Sequence, residues 1–339
     1  MSEDAEGLVK VVRVSRETPE RERLQEAGAA LRAGELVAFP TETVYGLGAN
    51  ALDAAAIAKI YAAKGRPANN PLIVHVVDEA QARGLAARWP QAAAKLAAAF
   101  WPGPLTLVVE RAEVVPETVS AGLGTVGLRV PAHPVARALL EVAGVPVAAP
   151  SANLYTQTSP TRAEHVVKSL GERVGWVIDG GATDVGVEST VVSLVGEVPV
   201  LLRPGMVSLE ALRDVVGEVQ LLEDMPEEEA PRMSPGLARK HYAPGVPLKV
   251  MSGEALEEAV AERRAKSADI KVGCVVYGAL RVEGTVAVVM PRDAAGYAAG
   301  LYEALHRLDR LGLEAIWVEA PPVKEGWEAV HDRLGRAVS

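Results

Sequence analysis

The stretch AKGRPANNPLIVHVV gathers anion-binding side chains in a chain whose formal net charge is −9. Pro67 disfavours the α conformation for Arg66, so Lys64 and Arg66 should leave a helix in an extended turn where both face one ligand. Lysine supplies a compact charge, arginine a planar fork and Asn70 a neutral amide donor. The pattern indicates a phosphate site. A helix end followed by solvated surface residues explains this segment equally well.

Further polar residues occur where apolar runs end. Arg129 and Arg203 close two such runs just before prolines, and a charge at that position can lie at the mouth of a sheet. The segments PSAN and VEST add small hydroxyls and amides at strand boundaries. These residues favour a polar pocket at strand ends, although rim arginines and ordinary turns would give the same pattern.

Patterns typical of other chemistries lack their structural context. GLGTVG matches the dinucleotide fingerprint, but the residues that follow, LRVPAHP, predict a strand and not the required helix. The chain contains no P-loop, no H-E-x-x-H and no G-x-S-x-G sequence. Cys274 lies in an apolar run, which predicts a buried and inert thiol. The six histidines are scattered, so we expect no structural metal.

Composition predicts a soluble globular protein of about two domains, with 339 residues, 49% apolar and 23% charged. The sequence pI near 5.4 argues against strong, sequence-blind binding to nucleic acid or to an anionic membrane. A single cysteine excludes a disulfide within the chain and suits a reducing compartment. With no targeting or membrane-spanning pattern, we expect a cytoplasmic location.

Hydrophobic periodicity predicts alternating helices and strands. Helices are predicted at 21–33, 53–64, 91–99, 135–142, 161–170 and 208–216. Asp53 is the predicted N-cap of the second helix and Gly65 its end, and Thr161 with Glu164 has capping-box spacing. Strands are predicted at LVAFP, PLIVHVV, LTLVVE, VGLRVP, VPVAAP, WVIDGG, STVVSLV and PVLLRPG. After an acidic, proline-containing connector at 223–232, alternating βα units predict a small parallel sheet.

Several long motifs in order resemble the YrdC/Sua5 family. They are FPTETVYGLG at 39–48, KGR, NNPLIVH, LRVPAHP, APSAN, GVEST, LLRPG and SPGLARKHYAP at 234–244. The resemblance covers nearly the whole chain and is closest to the two-domain Sua5 form. It implies an α/β fold, with a YrdC-like twisted sheet domain with helices at 1–217. It also implies a linker over the active site at 218–246 and a smaller Rossmann-like parallel α/β domain at 247–339.

The resemblance also implies an activity. Family members are threonylcarbamoyl-AMP synthases, which condense L-threonine, bicarbonate or CO2, and ATP to L-threonylcarbamoyl-AMP with release of pyrophosphate. The product is passed to the machinery of t6A37 modification of tRNA. Mg²⁺ would accompany ATP without protein ligands. Such nucleotidyl transfer requires positioning and cations more than a protein nucleophile, which agrees with the missing triad.

Site residues follow from the same motifs. The resemblance implies ATP contacts from Arg66, Asn70, Thr125, Ser151, Ser159, Arg203, His241 and Tyr242. It implies threonine contacts from Thr43, His75, Arg129 and Ser189, with Arg129 a natural partner for the carboxylate. Lys64, Arg66, Ser151 and Asn153 are the expected catalytic residues.

Two other functions remain open from sequence. The chain could be an RNA-associated binding protein that uses its basic pocket for phosphates, although aromatic residues make up only 4%. It could instead be a related carbamoyl-adenylating enzyme of hydrogenase maturation, although those proteins carry cysteine-rich zinc segments and this chain has one cysteine.

Overall fold

Short apolar runs form the strands of a large mixed sheet in the N-terminal part of the chain. The computed structural model describes residues 9–222, 241–267 and 270–338. In the first range the strands are β1 (Lys10–Arg13), β2 (Val37–Pro40), β3 (Tyr45–Asn50), β4 (Ile73–His75), β5 (Leu105–Glu110), β6 (Thr125–Arg129), β7 (Val147–Ala148), β8 (Trp176–Asp179), β9 (Thr190–Ser193), β10 (Val200–Arg203) and β11 (Gln220–Leu221). They lie in the order β1-β8-β2-β3-β7-β4-β6-β5-β9-β10-β11.

Helices cover this sheet, and all except the short helix at Glu79–Gly84 lie close to where periodicity predicts them. They are α1 (Arg21–Arg32), α2 (Ala54–Lys64), α3 (Glu79–Gly84), α4 (Gln91–Phe100), α5 (Pro134–Ala143), α6 (Ala163–Leu170) and α7 (Leu209–Val216). The predicted ends of α2 are confirmed. The Asp53 carboxylate accepts hydrogen bonds from the amides of Ala55 and Ala56, and Gly65 ends the helix with a φ of 60°.

The predicted capping box of α6 is wrong. The helix begins one residue later than that spacing requires, with Arg162 as N-cap and no side-chain cap. Glu164 therefore occupies the second helical position, and His165 occupies the third. The Thr161 amide donates instead to His165 Nδ1 at 3.3 Å, so the imidazole takes the acceptor's place.

Apolar clusters cover both faces of the sheet. On β2, Ala38 packs in a cluster with Leu47 from β3, whereas Phe39 packs in a second cluster with Leu139 of α5. Successive side chains of a strand point to opposite faces, so this central strand is buried on both. The ends of the strands that neighbour β2 are consequently anchored in the core.

The GLGTVG segment leads into β6, as the sequence predicted, and no helix opens behind its glycines. Leu128 is fully buried in the sheet, where it pairs with Leu107 of β5. The GLGTVG segment therefore leads into a strand and lacks the helix that the dinucleotide-binding fingerprint requires.

The C-terminal part forms a separate parallel sheet, which confirms the predicted βα alternation. Its strands are β12 (Leu248–Met251), β13 (Val272–Val276), β14 (Val286–Val289) and β15 (Ala315–Glu319), in the order β12-β15-β13-β14. Its helices are α8 (Gly253–Lys266), α9 (Ala294–Asp309) and α10 (Glu328–Ala337). Cys274 lies buried in β13, as predicted, and burial raises the pKa of its thiol.

The chain divides into two units that do not follow sequence order strictly. Thr156–Ser159 and Val185–Val187 cluster with the C-terminal unit, although they lie between segments of the N-terminal one. The acidic connector at 223–232 and residues 234–240 of the SPGLARKHYAP motif lie outside the described residues. Within the described ranges, no helix has the length and apolar character of a membrane span.

Candidate active site

Lys64 is buried at the C-terminal end of α2. Its side chain is 2% exposed in the N-terminal unit, and Nζ donates to the backbone carbonyls of Ser151 and Asn153. Burial lowers the pKa of Lys64 well below its usual value, and the nearby Arg66 charge lowers it further, while Glu188 opposes both. The structure therefore excludes a solvated surface lysine and joins the KGR and APSAN motifs.

Arg66 is buried as well, with 6% of its surface exposed. Its Nη2 donates to the Pro71 carbonyl at 3.1 Å, and its guanidinium lies 5.9 Å from the Tyr155 ring centroid. The Asn70 amide reaches the same tyrosine at its hydroxyl, at 3.1 Å. Arg66 and Asn70, both predicted to bind ATP, thus share Tyr155 as a neighbour.

Arg129 is held by a buried ion pair. Its Nη2 lies 2.6 Å from Glu42 Oε1, and both side chains are less than a tenth exposed. Nη1 donates to Thr43 Oγ1 at 3.0 Å and Nε donates to the Gly103 carbonyl at 3.2 Å. Two guanidinium N–H groups therefore donate to protein acceptors and Nη2 forms the ion pair, so N–H groups remain for an anion such as a carboxylate.

His75 lies beside this ion pair. It is opposite Arg129 in the register of β4 and β6, and its ring packs edge-on against Phe39 with centroids 6.1 Å apart. Burial, reinforced by the Arg129 charge, lowers the pKa of His75 to about 3. The imidazole is therefore neutral at physiological pH.

Ser189 and Arg203 are joined to each other by hydrogen bonds. Arg203, which is 3% exposed, donates from Nε to the Ser189 carbonyl at 3.0 Å and from Nη2 to Ser189 Oγ at 3.2 Å. The same hydroxyl lies 2.8 Å from Thr106 Oγ1. Ser189 is thus fixed between a cation and a second hydroxyl.

Sheet pairing brings these groups to one region. The Thr190 amide donates to the Pro104 carbonyl at 3.0 Å, and the preceding Gly103 carbonyl accepts from Arg129. Thr190, the residue after Ser189, and Arg129 are therefore bound to adjacent residues of one segment. Glu188, next to Ser189, raises the pKa of Lys64, which links the lysine to the same region.

Thr125 lies apart from Arg129 within the N-terminal unit. Thr125 begins β6 whereas Arg129 ends it, so their backbones are about 13 Å apart at the usual rise per residue. Ser159, His241 and Tyr242 belong to the C-terminal unit. There His241 and Tyr242 are buried with ring centroids 4.1 Å apart, and the Arg333 guanidinium lies 5.3 Å from the Tyr242 ring. Their contact with a nucleotide stays a prediction.

Two residues of the site were not predicted from the sequence. Glu42 was overlooked, although it lies between Thr41 and Thr43 in the segment that follows a predicted strand. A carboxylate next to Thr43, a predicted threonine contact, could have indicated a residue of the site. Tyr155 gave no comparable signal, because its partners Arg66 and Asn70 are remote in the sequence.

The neutral His75 should make the fold sensitive to acid. Its pKa of about 3 lies below the usual 6.5, so the folded chain binds fewer protons than the unfolded chain between these values. The free energy of unfolding should therefore decrease as pH falls from 6.5 to 3, by up to about 5 kcal/mol from this residue. Urea titrations across this range should show a shallower decrease for His75→Gln.

Burial is the main cause that lowers the pKa of His133 to about 4, so His133 contributes in the same direction. The free energy of unfolding of His75→Gln should therefore still decrease as the pH falls. Parallel curves for the two proteins would contradict the assignment to His75.

Comparisons with known proteins agree with the resemblance seen in the sequence motifs. Residues 29–205 match a family described as telomere recombination, Sua5/YciO/YrdC, and residues 207–339 match the threonylcarbamoyl-AMP synthase C-terminal domain. A threonylcarbamoyl-AMP synthase of Pyrococcus abyssi is 42% identical over 94% of this chain and 96% of its own. One of Bacillus subtilis is 41% identical over 93% of this chain and 92% of its own.

A solved structure extends the similarity to the fold. It is P. abyssi Sua5 complexed with L-threonine, which superposes with a TM-score of 0.89 at 39% identity and covers 97% of this chain and 98% of that one. Both domains are included at this coverage. The chain therefore belongs to the Sua5/YciO/YrdC family, in its two-domain Sua5 form.

Proposed function

We propose that the chain is an L-threonylcarbamoyl-AMP synthase, a nucleotidyltransferase that joins L-threonine, bicarbonate and ATP with release of pyrophosphate. Four buried basic side chains, Lys64, Arg66, Arg129 and Arg203, lie in one unit of an acidic chain and support the proposal. Burying charge is costly unless it is paired or used. The names of the curated relatives support the same activity.

Arg129 and its neighbours Thr43, Ser189 and His75 fit the substrate L-threonine. The Arg129 N–H groups that do not donate to the protein suit the threonine carboxylate, while Thr43 and Ser189 bring hydroxyls for the polar substrate atoms. The neutral His75 adds no charge that would repel the ammonium group. The P. abyssi relative solved with L-threonine supports this assignment.

Arg66 and the polar residues predicted to contact ATP with it fit the nucleotide. Arg66 would bind phosphate oxygens, with Asn70 and Ser151 as further polar contacts, and Arg203 would add positive charge. Preorganised cations of this kind stabilise the charge that develops on the leaving pyrophosphate. Mg²⁺ would enter as part of the substrate MgATP.

The reaction needs no protein nucleophile. The amine of threonine forms a carbamate, and a carbamate oxygen attacks the α-phosphorus of ATP as pyrophosphate leaves. The residues supply orientation and charge, which can account for a large part of such a barrier. We expect the product to be used in the cytoplasm by the enzymes of t6A modification of tRNA.

Pyrophosphate release from MgATP, with threonine and bicarbonate omitted in turn, tests the proposal. We expect release only when both are present. Release without threonine would indicate another acceptor, and a requirement for carbamoyl phosphate would indicate the hydrogenase-maturation type of reaction. A tRNA mobility shift without any ATP turnover would favour the RNA-binding alternative.

A further inference from the structure

The Lys64 side chain is oriented by two backbone carbonyls. Nζ donates one N–H to Ser151 O and another to Asn153 O, and the Lys64 carbonyl accepts from the Tyr155 amide at 2.9 Å. Both ends of the residue are thus fixed to the segment after β7. An amine nitrogen is tetrahedral, so two occupied N–H directions leave one direction for a substrate.

That third direction can hold an N–H of an ammonium or the lone pair of a neutral amine. The charged groups that act on Nζ are Arg66, from the turn after α2, and Glu188, from the segment before β9. With the side chain 2% exposed, desolvation favours the neutral amine, and the Arg66 charge has the same effect. Arg66 already provides a permanent cation for the phosphates.

We propose that Lys64 Nζ is the base that accepts a proton from the ammonium group of threonine, an inference that rests on the proposed function. The threonine N–H bond breaks, its electron pair stays on nitrogen, and the proton binds Nζ. The free amine then attacks the carbon of bicarbonate. Its second proton leaves with the bicarbonate hydroxyl as water, and the carbamate remains.

This transfer has a second consequence. Lys64 becomes an ammonium as the carbamate is formed, so positive charge appears before the carbamate oxygen attacks the α-phosphorus. The new cation can then stabilise the negative charge of the leaving pyrophosphate. One proton transfer thus prepares both the nucleophile and the electrostatics of the next step.

The other buried titratable groups of the site are less suited to this role. His75 has a pKa of about 3 and is a weak base. Glu42 is bound on one oxygen by Arg129 and on the other by the Ala132 amide, at 2.6 and 3.0 Å. Both carboxylate oxygens of Glu42 are therefore already engaged by protein groups. Lys64 combines burial, which disfavours the charged form, with a fixed orientation.

Lys64→Arg tests the assignment, because arginine keeps the charge but cannot act as a base. We expect kcat for pyrophosphate release to fall about 10²–10⁴-fold, while the Kd for MgATP changes little. The matched control is Lys59→Arg on the same helix, whose Nζ binds the Gly34 carbonyl at 2.7 Å and which lies outside the site. Retained kcat in Lys64→Arg would overturn the proposal.

Two measurements remain decisive if Lys64→Arg fails to fold. For the wild type, kcat/KM for threonine should be bell-shaped, with an acid limb from Lys64 and an alkaline limb from the threonine ammonium. A single rise that ends at the pKa of free threonine would overturn the proposal. In Lys64→Ala, added methylamine should restore activity in proportion to its free base, whereas rescue that follows the methylammonium concentration would indicate only a cation.

These results separate the two hypotheses. A wild type that turns over ATP only with threonine and bicarbonate, together with an active Lys64→Arg, would refute the base and leave the synthase. A wild type that releases no pyrophosphate under complete conditions would refute both.

Discussion

Replacing Arg66 by alanine should lower kcat/KM for ATP about 10²–10³-fold, as loss of a preorganised charge donor does in other enzymes. Solvated surface residues explained the segment around Arg66 equally well from sequence, and for Arg66 that alternative is wrong. Arg66 is 6% exposed and donates to the Asn70 and Pro71 carbonyls. Its loss should therefore also lower the free energy of unfolding, by about 1–3 kcal/mol.

Arg32→Ala is the matched control for this variant. Arg32 also donates to two backbone carbonyls, those of Val142 and Ala143, at 2.7 and 3.2 Å, but it lies outside the candidate site. Steady-state kinetics should show normal turnover for Arg32→Ala. Normal turnover of Arg66→Ala at saturating ATP would remove Arg66 from the reaction.

Glu42→Gln should lower the free energy of unfolding by about 3–5 kcal/mol, because it leaves the buried Arg129 guanidinium without its counter-charge. The amide keeps the size of the side chain, so lost packing does not explain the effect. Where the variant folds, the KM for threonine should rise, since Arg129 is no longer held toward the substrate. Denaturant titration and threonine saturation curves measure the two effects.

The control is Glu117→Gln. Glu117 lies 3.4 Å from Arg111, but its side chain is 76% exposed, so its contribution should be less than about 1 kcal/mol. If Glu42→Gln is as mild as Glu117→Gln, the ion pair does not anchor Arg129 and the account of the threonine site must change.

Local signals made α2 and its lysine predictable. Asp53 before an alanine-rich run and Gly65 after it define a helix by capping alone. The apolar runs of β4 and β6 end at His75 and Arg129, two residues that the family resemblance implied as threonine contacts. For these elements, short-range chemistry and tertiary structure agree.

Other elements depend on contacts that the sequence does not reveal. The segment YGLGAN contains two glycines and no alternation, yet it forms β3. A Cβ on Gly48 would lie 2.8 Å from both Phe39 and Val147, so glycine is required by close packing, and tertiary contacts override its weak strand propensity.

The partners within the site were equally hidden. Glu42 and Arg129 are far apart in the sequence and meet only because the loop after β2 contacts the end of β6. A residue's type and neighbours therefore suggested that Arg129 binds an anion, but not that one protein carboxylate already holds it. The burial of Lys64 between two carbonyls likewise follows from tertiary structure.

The most direct test of the proposed reaction is the fate of the bicarbonate carbon. Purified protein is incubated with ¹³C-bicarbonate, L-threonine and MgATP, and the nucleotide products are analysed by mass spectrometry. We predict an adenylate that contains threonine and one ¹³C atom and that forms in step with pyrophosphate. ATP turnover that yields an adenylate without the label, or no adenylate at all, would contradict the account.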